Sequence, residues 1–184
     1  MGSKEEINIK SYADIREAHL EVQLNSLKKI EEVFRSEGFP DVTFECLNQN
    51  LLDKWIEWQS RLKCWNNLFS GAQRIRPRHF SLGIFDDKKL YGMAFGRLSK
   101  GRRHLRIDYL EARPRPHKYE GMVAQMAILS ALEYAKDVGA KKLLITNPLP
   151  GTEKVYDPLC DGFVKPSESS WPRGHYFIHV RSTT

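Results

Sequence analysis

A long apolar helix between two strand-like segments constrains the fold of this chain more than any other part of its sequence. The helix is predicted over residues 121–138, and its apolar side chains cover more than half of its circumference. Strand patterns precede it at residues 104–112 and follow it at residues 142–146. A helix that joins two strands of one sheet places them in parallel, in a right-handed crossover.

The remaining segments complete the predicted order of elements. Residues 79–85, 89–98 and 104–112 have the pattern of three consecutive strands, joined by the short polar turns Asp86-Asp87-Lys88 and Ser99-Lys100-Gly101-Arg102. Connections this short make an antiparallel meander. Further elements are expected as helices at 11–36, 50–62 and 152–159 and as strands at 42–47 and 175–181. We therefore expect an α/β (α+β) fold with a mixed, mostly antiparallel sheet, a central parallel crossover and helices on both faces.

Two apolar groups in the first 78 residues bear on the core. The first helix carries a stripe at three- and four-residue spacing, which we expect to face the core: Leu20, Leu24, Leu27, Ile30 and Phe34. The second group is Trp55, Trp58 and Trp65, which fits either packing around the second helix or a wall of a substrate pocket. Residues 63–78 show no clear period and are expected to form a loop with at most one helical turn.

Length and cysteine usage bound the class of protein. The 184 residues suit one domain, with an N-terminal part over 1–78 and a core over 79–184. Nothing approaches the roughly 18 consecutive apolar residues of a membrane-spanning helix, so no membrane partner is expected. Cys46, Cys64 and Cys160 are odd in number and lack the spacing of a zinc site, which favours a reducing compartment, the cytoplasm.

The net charge of +6 is concentrated in three segments, residues 74–79, 100–106 and 113–118. Two interpretations stay open. The basic side chains can lie on solvated loops, or they can form an electropositive face that attracts a polyanion or the phosphates of a cofactor. A basic balance alone does not make a nucleic-acid binder.

The loop before the long helix reads Lys118-Tyr119-Glu120-Gly121-Met122-Val123-Ala124. With the order of elements over 79–181, it resembles the GNAT superfamily of acyl-coenzyme A-dependent N-acyltransferases, whose Arg/Gln-x-x-Gly-x-Gly/Ala loop holds the coenzyme A pyrophosphate. Amide groups at a helix N-terminus are a ready anion site. One register aligns Lys118 and Gly121 with the motif, and the other aligns Tyr119, Met122 and Ala124. Both depart from the family pattern, and Gly121 also fits an ordinary helix start.

Two further matches lie downstream. Residues 141–147 end in Asn147 and resemble the family strand that splays from its neighbour to admit the pantetheine arm; Asn147 also fits a turn. Tyr156, followed by Gly162-Phe163, is similar to the family's Tyr-x-x-x-Gly-Phe ending with one extra residue. The resemblance implies that Tyr156 protonates the departing thiolate, although a tyrosine of the core fits the same position.

The resemblance also implies a base for the acceptor amine, and Glu111 lies where some family members place one. Asp108 is the other carboxylate on this strand, and strict alternation would put the two on opposite faces. His104, His117 and His175 are lesser candidates. The residues expected to bind the acyl-coenzyme A, with acetyl-coenzyme A as the first choice, are Leu110, Ala112, Lys118, Tyr119, Glu120, Gly121, Met122, Val123, Ala124 and Asn147.

The resemblance leaves the acceptor open: a small molecule, a protein or a tRNA that offers an amine. It also allows a homodimer. No metal is expected, because His175 and His179 would lie about 13 Å apart on a strand at roughly 3.3 Å per residue. The chief alternative is a catalytically inactive GNAT-like binding module whose basic loops bind nucleic acid or an acidic partner.

Overall fold

The computed structural model describes residues 12–58, 65–68, 70 and 78–181. Its helices are α1 (Tyr12–Ser36), α2 (Gln49–Ile56), α3 (Val123–Asp137) and α4 (Glu153–Tyr156). Its strands are β1 (Val42–Glu45), β2 (His79–Asp86), β3 (Lys89–Leu98), β4 (His104–Ala112), β5 (Lys142–Thr146), β6 (Gly162–Val164) and β7 (His175–His179). Residues 166–168 add a 3₁₀ turn. Most of the segment 63–78, expected to be a loop, lies outside the described residues, as do residues 59–62 at the end of the second predicted helix.

The seven strands form one sheet in the order β1-β2-β3-β4-β5-β7-β6. Neighbours are antiparallel except β4 and β5, which pair in parallel through the crossover helix α3. The predicted fold class is confirmed. Strand β6, which pairs with β7, is missing from the sequence prediction. With three residues it is too short to show an alternating pattern, and only its neighbour defines it.

Both faces of the sheet are covered in its first half. Helices α1 and α3 pack with one face, where Leu105, Ile107 and Leu143 belong to the larger core cluster. Helix α2 and Trp65 pack with the other face in a second cluster, which Tyr109 borders. We call these the α3 face and the α2 face. Trp55, Trp58 and Trp65 are all buried in the second cluster, so the tryptophan group packs in the core.

The apolar stripe predicted for α1 is partly wrong. Leu27 and Phe34 are buried, but Leu20 and Leu24 keep 41% and 42% of their surface exposed. The helix instead buries His19, Gln23 and Ser26, and each has a hydrogen-bond partner. The physical reason is that a buried polar group is tolerated when it is hydrogen-bonded. The buried face of α1 can therefore carry these polar residues where the stripe predicted leucines.

A β-bulge in β4 changes which way its side chains face. Phe95 pairs with Tyr109 while the next residue, Gly96, pairs with Ile107, so Asp108 is an extra residue in β4. Ile107 consequently packs on the α3 face and Tyr109 on the α2 face, although they are two residues apart.

No helix among the described residues is long and apolar enough to cross a membrane.

Candidate active site

The two parallel strands separate just beyond the bulge. Their pairing runs from His104 with Lys142 to Ile107 with Ile145 and then stops, while β4 stays paired with β3 up to Ala112. The Arg113 amide donates to the Tyr91 carbonyl of β3 at 2.8 Å. Because amides alternate in direction along a strand, those of Leu110 and Ala112 point away from β3 into the gap beside β5. The gap therefore offers two donors that have no strand partner.

A cleft of about 590 Å³ opens at this gap. Its wall includes most of the residues expected from the sequence, namely Leu110, Ala112, Gly121, Val123, Ala124, Asn147 and Tyr156. The structure thus brings together the end of β4, the end of β5, the first turn of α3 and α4. The length of α3 separates the first two segments from the last two in the sequence, and the crossover connection brings the ends of β4 and β5 side by side.

The N-terminus of α3 faces one end of the cleft. Met126 donates to Met122, whereas the amides of Val123, Ala124 and Gln125 make no hydrogen bond with another described residue. Gly121 adopts a φ of +81°, a conformation that favours glycine and turns the chain into the helix. Arg113 and Arg115 also line this end of the cleft. Free amides, the helix dipole and two guanidinium groups together make an anion-binding end.

Other residues of the predicted phosphate loop point elsewhere. The Lys118 ammonium lies 2.5 Å from the Asp86 carboxylate, and the buried Tyr119 hydroxyl donates to the same carboxylate. Burial alone would raise the pKa of Asp86, but these two hydrogen bonds outweigh it and hold the pKa below its usual value. Glu120 pairs with Arg115 at 3.1 Å. Neither these loop residues nor Met122 line the cleft, and the sequence contains no local signal that pairs Asp86 with the loop.

Tyr156 lies in the cleft wall with 7% of its surface exposed. Its ring packs against Tyr176, with the ring centroids 5.3 Å apart. Burial, and to a smaller extent the nearby Cys160, raises its pKa above the ordinary value, so the phenol keeps its proton at neutral pH. Its hydroxyl forms no hydrogen bond with a described residue. It is therefore a protonated donor without a structural partner, at the edge of a cleft.

Glu111 is buried on the α2 face and does not line the cleft. Its carboxylate accepts a 2.6 Å hydrogen bond from the Trp65 indole. Among the other candidate bases, His117 lines the cleft, and burial lowers its pKa below the ordinary value. His104 and His175 lie outside the cleft wall. The Trp65 contact could not be found from the sequence, since 46 residues separate its partners.

The Asp108 carboxylate is held by two arginines and does not pair with Glu111. Its Oδ2 accepts from the Arg97 Nε at 2.7 Å, and its Oδ1 accepts from the Thr146 hydroxyl at 3.1 Å. The Arg106 Nε is 3.0 Å from Oδ1, although its N–H is not aligned for a hydrogen bond. The expectation that Asp108 and Glu111 face opposite sides is wrong, because the bulge puts both on the α2 face. They still form no acid–base pair, since their partners differ.

Asn147 directly follows β5 and adopts a left-handed conformation, with a φ of 51°. Its amide donates to the Gly174 carbonyl at 3.2 Å, and its Oδ1 accepts from the Arg173 amide at 3.4 Å. Asn147 therefore acts as a turn residue that fixes the loop at 171–174 against the cleft. Trp171 and Arg173 of that loop line the cleft as well, and neither was singled out from the sequence.

Comparison with solved structures identifies the fold. The chain is similar to a probable acetyltransferase from Staphylococcus epidermidis (TM-score 0.56, 14% identity, 76% of this chain and 99% of that one). It is also similar to a chimeric spermidine N-acetyltransferase from Vibrio cholerae (TM-score 0.54, 15% identity, 76% and 95%). A third match is N-acetylglutamate synthase from Neisseria gonorrhoeae complexed with coenzyme A and N-acetyl-glutamate (TM-score 0.53, 11% identity, 76% and 35%).

No protein-family model matches the sequence, and no curated protein matches it at a significant level. At identities this low, structural similarity establishes the architecture and leaves the chemistry to be argued from the residues.

Proposed function

We propose that this chain, whose fold is that of the GNAT acetyltransferases, is an acyl-coenzyme A-dependent N-acyltransferase. One observation carries the proposal: the strand gap with the inward amides of Leu110 and Ala112 opens directly onto the free N-terminus of α3. A ligand that has a thioester at one end and phosphates at the other matches both ends of this cleft.

The residues present fit acyl-coenzyme A. The amides of Val123 and Ala124, with Arg113 and Arg115, would hold its phosphates. The amides of Leu110 and Ala112 would donate to the acyl carbonyl and to the pantetheine arm. When bound, the thioester supplies an activated acyl group. We propose acetyl as that group, because the structural neighbours named above are acetyltransferases or make an acetylated product.

Two proton transfers accompany acylation of an amine. The Tyr156 hydroxyl, which has no hydrogen-bond partner among the described residues, would protonate the departing thiolate. A phenol with a raised pKa is a weak acid, but it retains its proton until the thiolate departs. Glu111 remains our candidate to accept the amine's proton. Because its side chain lies outside the cleft wall, that transfer requires a bridging water.

Titration calorimetry with acetyl-coenzyme A tests the proposal. We expect binding in the micromolar range, and Arg113→Gln should raise the Kd about tenfold, the effect of one lost charge-assisted hydrogen bond. Arg103→Gln is the matched control, because Arg103 is exposed at the turn between β3 and β4 and does not line the cleft. Absence of heat up to millimolar ligand with the wild-type chain would exclude the proposed enzyme.

A binding module without catalysis is the second candidate. Lys100, Arg102 and Arg103 in the turn after β3 have no ion-pair partner among the described residues, so their charge is available to a nucleic acid or an acidic protein. Salt-dependent binding of tRNA together with no binding of acetyl-coenzyme A would favour this candidate.

A further inference from the structure

Two arginines besides Arg113 and Arg115 line the cleft, and a third lies next to one of them. Arg97 and Arg173 line the cleft. Arg106 contacts the same Asp108 carboxylate as Arg97, and its guanidinium carbon is 5.9 Å from the centre of the Trp171 ring. We call Arg97, Arg106 and Arg173 the arginine cluster. Asp108 is the only carboxylate among the described residues that line the cleft. The cluster and Asp108 together therefore carry a net charge of about +2.

Asp108 holds Arg97 and Arg106 at their Nε atoms and leaves the terminal amino groups of Arg97 without a partner among the described residues. It contacts Arg97 and Arg106 through their Nε atoms, at 2.7 and 3.0 Å, and its own side chain is only 9% exposed. The terminal amino groups of Arg97 make no hydrogen bond with a described residue, and the Arg173 side chain has no partner among them. A guanidinium held at its Nε presents its two outer nitrogens as a fixed fork, the geometry that binds carboxylate or phosphate.

Two members of the cluster, Arg97 and Arg106, lie on the opposite side of the sheet from the anion-binding end of the cleft. Leu105 and Ile107 pack on the α3 face, so Arg106 between them points to the α2 face. Its cross-strand partner Arg97 shares that face. The N-terminus of α3 lies on the α3 face. The strand gap connects the two sides, and one extended ligand that fills the α3 end leaves the arginine cluster for a second ligand.

We infer that the acceptor amine carries an oxyanion, a carboxylate or a phosphate, which the Arg97 guanidinium binds on the α2 face with the help of Arg173 from the wall of the same cleft. This inference rests on the proposed acyltransferase function and names the substrate class of that site. Polycations such as spermidine are disfavoured as acceptors, because Asp108 is neutralised by its arginines and no other carboxylate of the described residues lines the cleft.

Matched pairs of amines test the inference by calorimetry on the whole chain, with coenzyme A present and absent. Phosphoethanolamine against ethanolamine examines the phosphate arm, and alanine against alanine amide examines the carboxylate arm. Spermidine serves as the cationic probe. We expect measurable binding of at least one anionic member and at least tenfold weaker binding of its uncharged counterpart. The arm that binds identifies the oxyanion.

Two substitutions locate the site. Arg97→Gln and Arg173→Gln should each weaken binding of the anionic amine about tenfold, while Arg103→Gln should have no effect. Arg173 is exposed and its side chain has no partner among the described residues, so its replacement leaves folding intact. If acyl transfer is measurable, these variants should raise the KM for the acceptor and leave the Kd for coenzyme A unchanged.

The outcomes separate this inference from the proposed function. Transfer to neutral or cationic amines that is insensitive to both variants would overturn the inference and keep the acyltransferase. Failure of coenzyme A to bind would overturn the acyltransferase, while anion binding that requires Arg97 would still establish the site. Equal affinity for the charged and uncharged members of both pairs would overturn the inference in either case.

Discussion

Removal of the Tyr156 hydroxyl separates a catalytic role from a structural one. The hydroxyl has no hydrogen-bond partner among the described residues, so Tyr156→Phe leaves no group unpaired. We expect the free energy of unfolding to change by less than about 1 kcal/mol. As a general acid, the same hydroxyl should account for about 10²- to 10⁴-fold in kcat, which corresponds to roughly 3–5 kcal/mol of activation free energy.

Tyr176 is the matched control, because its ring packs against Tyr156 and its hydroxyl is committed elsewhere. That hydroxyl donates to the Asp157 Oδ1 at 2.9 Å. A hydrogen bond to a carboxylate contributes about 1.5–3 kcal/mol, and since Asp157 is exposed we expect the lower end. Tyr176→Phe should therefore lower the melting temperature by about 3–6 °C and preserve turnover.

The assay follows thiol release from acetyl-coenzyme A at saturating acceptor, with the Kd for coenzyme A and the melting temperature measured in parallel. The two variants should give opposite profiles. Wild-type kcat in Tyr156→Phe, or an equal loss of kcat in Tyr176→Phe, would refute the assignment of Tyr156 as the acid. Because burial raises the pKa of Tyr156, its proton should not produce a fall in kcat below about pH 10.

Two further predictions concern stability. A Cβ at Gly96 would lie 2.0 Å from the Arg106 carbonyl oxygen and would force β3 and β4 apart at the bulge. Gly96→Ala should therefore lower the free energy of unfolding, measured by chemical denaturation, by about 3 kcal/mol. At Gly139 an added Cβ would meet no atom within 4 Å, but the φ of this residue is +73°. Gly139→Ala should therefore lower the free energy of unfolding by only about 1 kcal/mol. Equal losses in the two variants would contradict the steric argument. Burial, and then the nearby arginines, lowers the pKa of His19 from 6.5 to about 4, so its contribution to stability is present above pH 6.5 and is lost as the pH falls toward 4. His19→Gln should flatten the pH dependence of the unfolding free energy in that window, and an unchanged slope would show that His19 is not responsible.

The sequence predicted the order of the elements well, because the signals involved are local. The predicted bounds of β3, β4 and β5 match the structure residue for residue, since alternation along a strand and turn residues between strands are properties of neighbouring positions. The parallel crossover followed from the placement of one helix between two strands. About a third of the cleft wall was predicted through the family resemblance, including Gly121, Asn147 and Tyr156.

Contacts between distant segments could not be predicted. Leu20 and Leu24 fit an apolar stripe, but the face of α1 that α3 covers carries hydrogen-bonded polar residues instead. The pairing of Lys118 with Asp86 turned an expected phosphate ligand away from the cleft. In each case the deciding interaction joins residues more than 30 positions apart, and periodicity contains no information about it.

The bulge at Asp108 shows most clearly which features the sequence determines and which depend on the tertiary structure. The sequence by itself determined that a strand ends near Ala112 and that a helix carries the chain across to a parallel neighbour. Only the tertiary structure decided that one extra residue shifts the alternation, which turns Asp108 and Glu111 to the same face and sends them to different partners. A strand's side-chain direction depends on its register with the next strand, and register is a property of two segments rather than one.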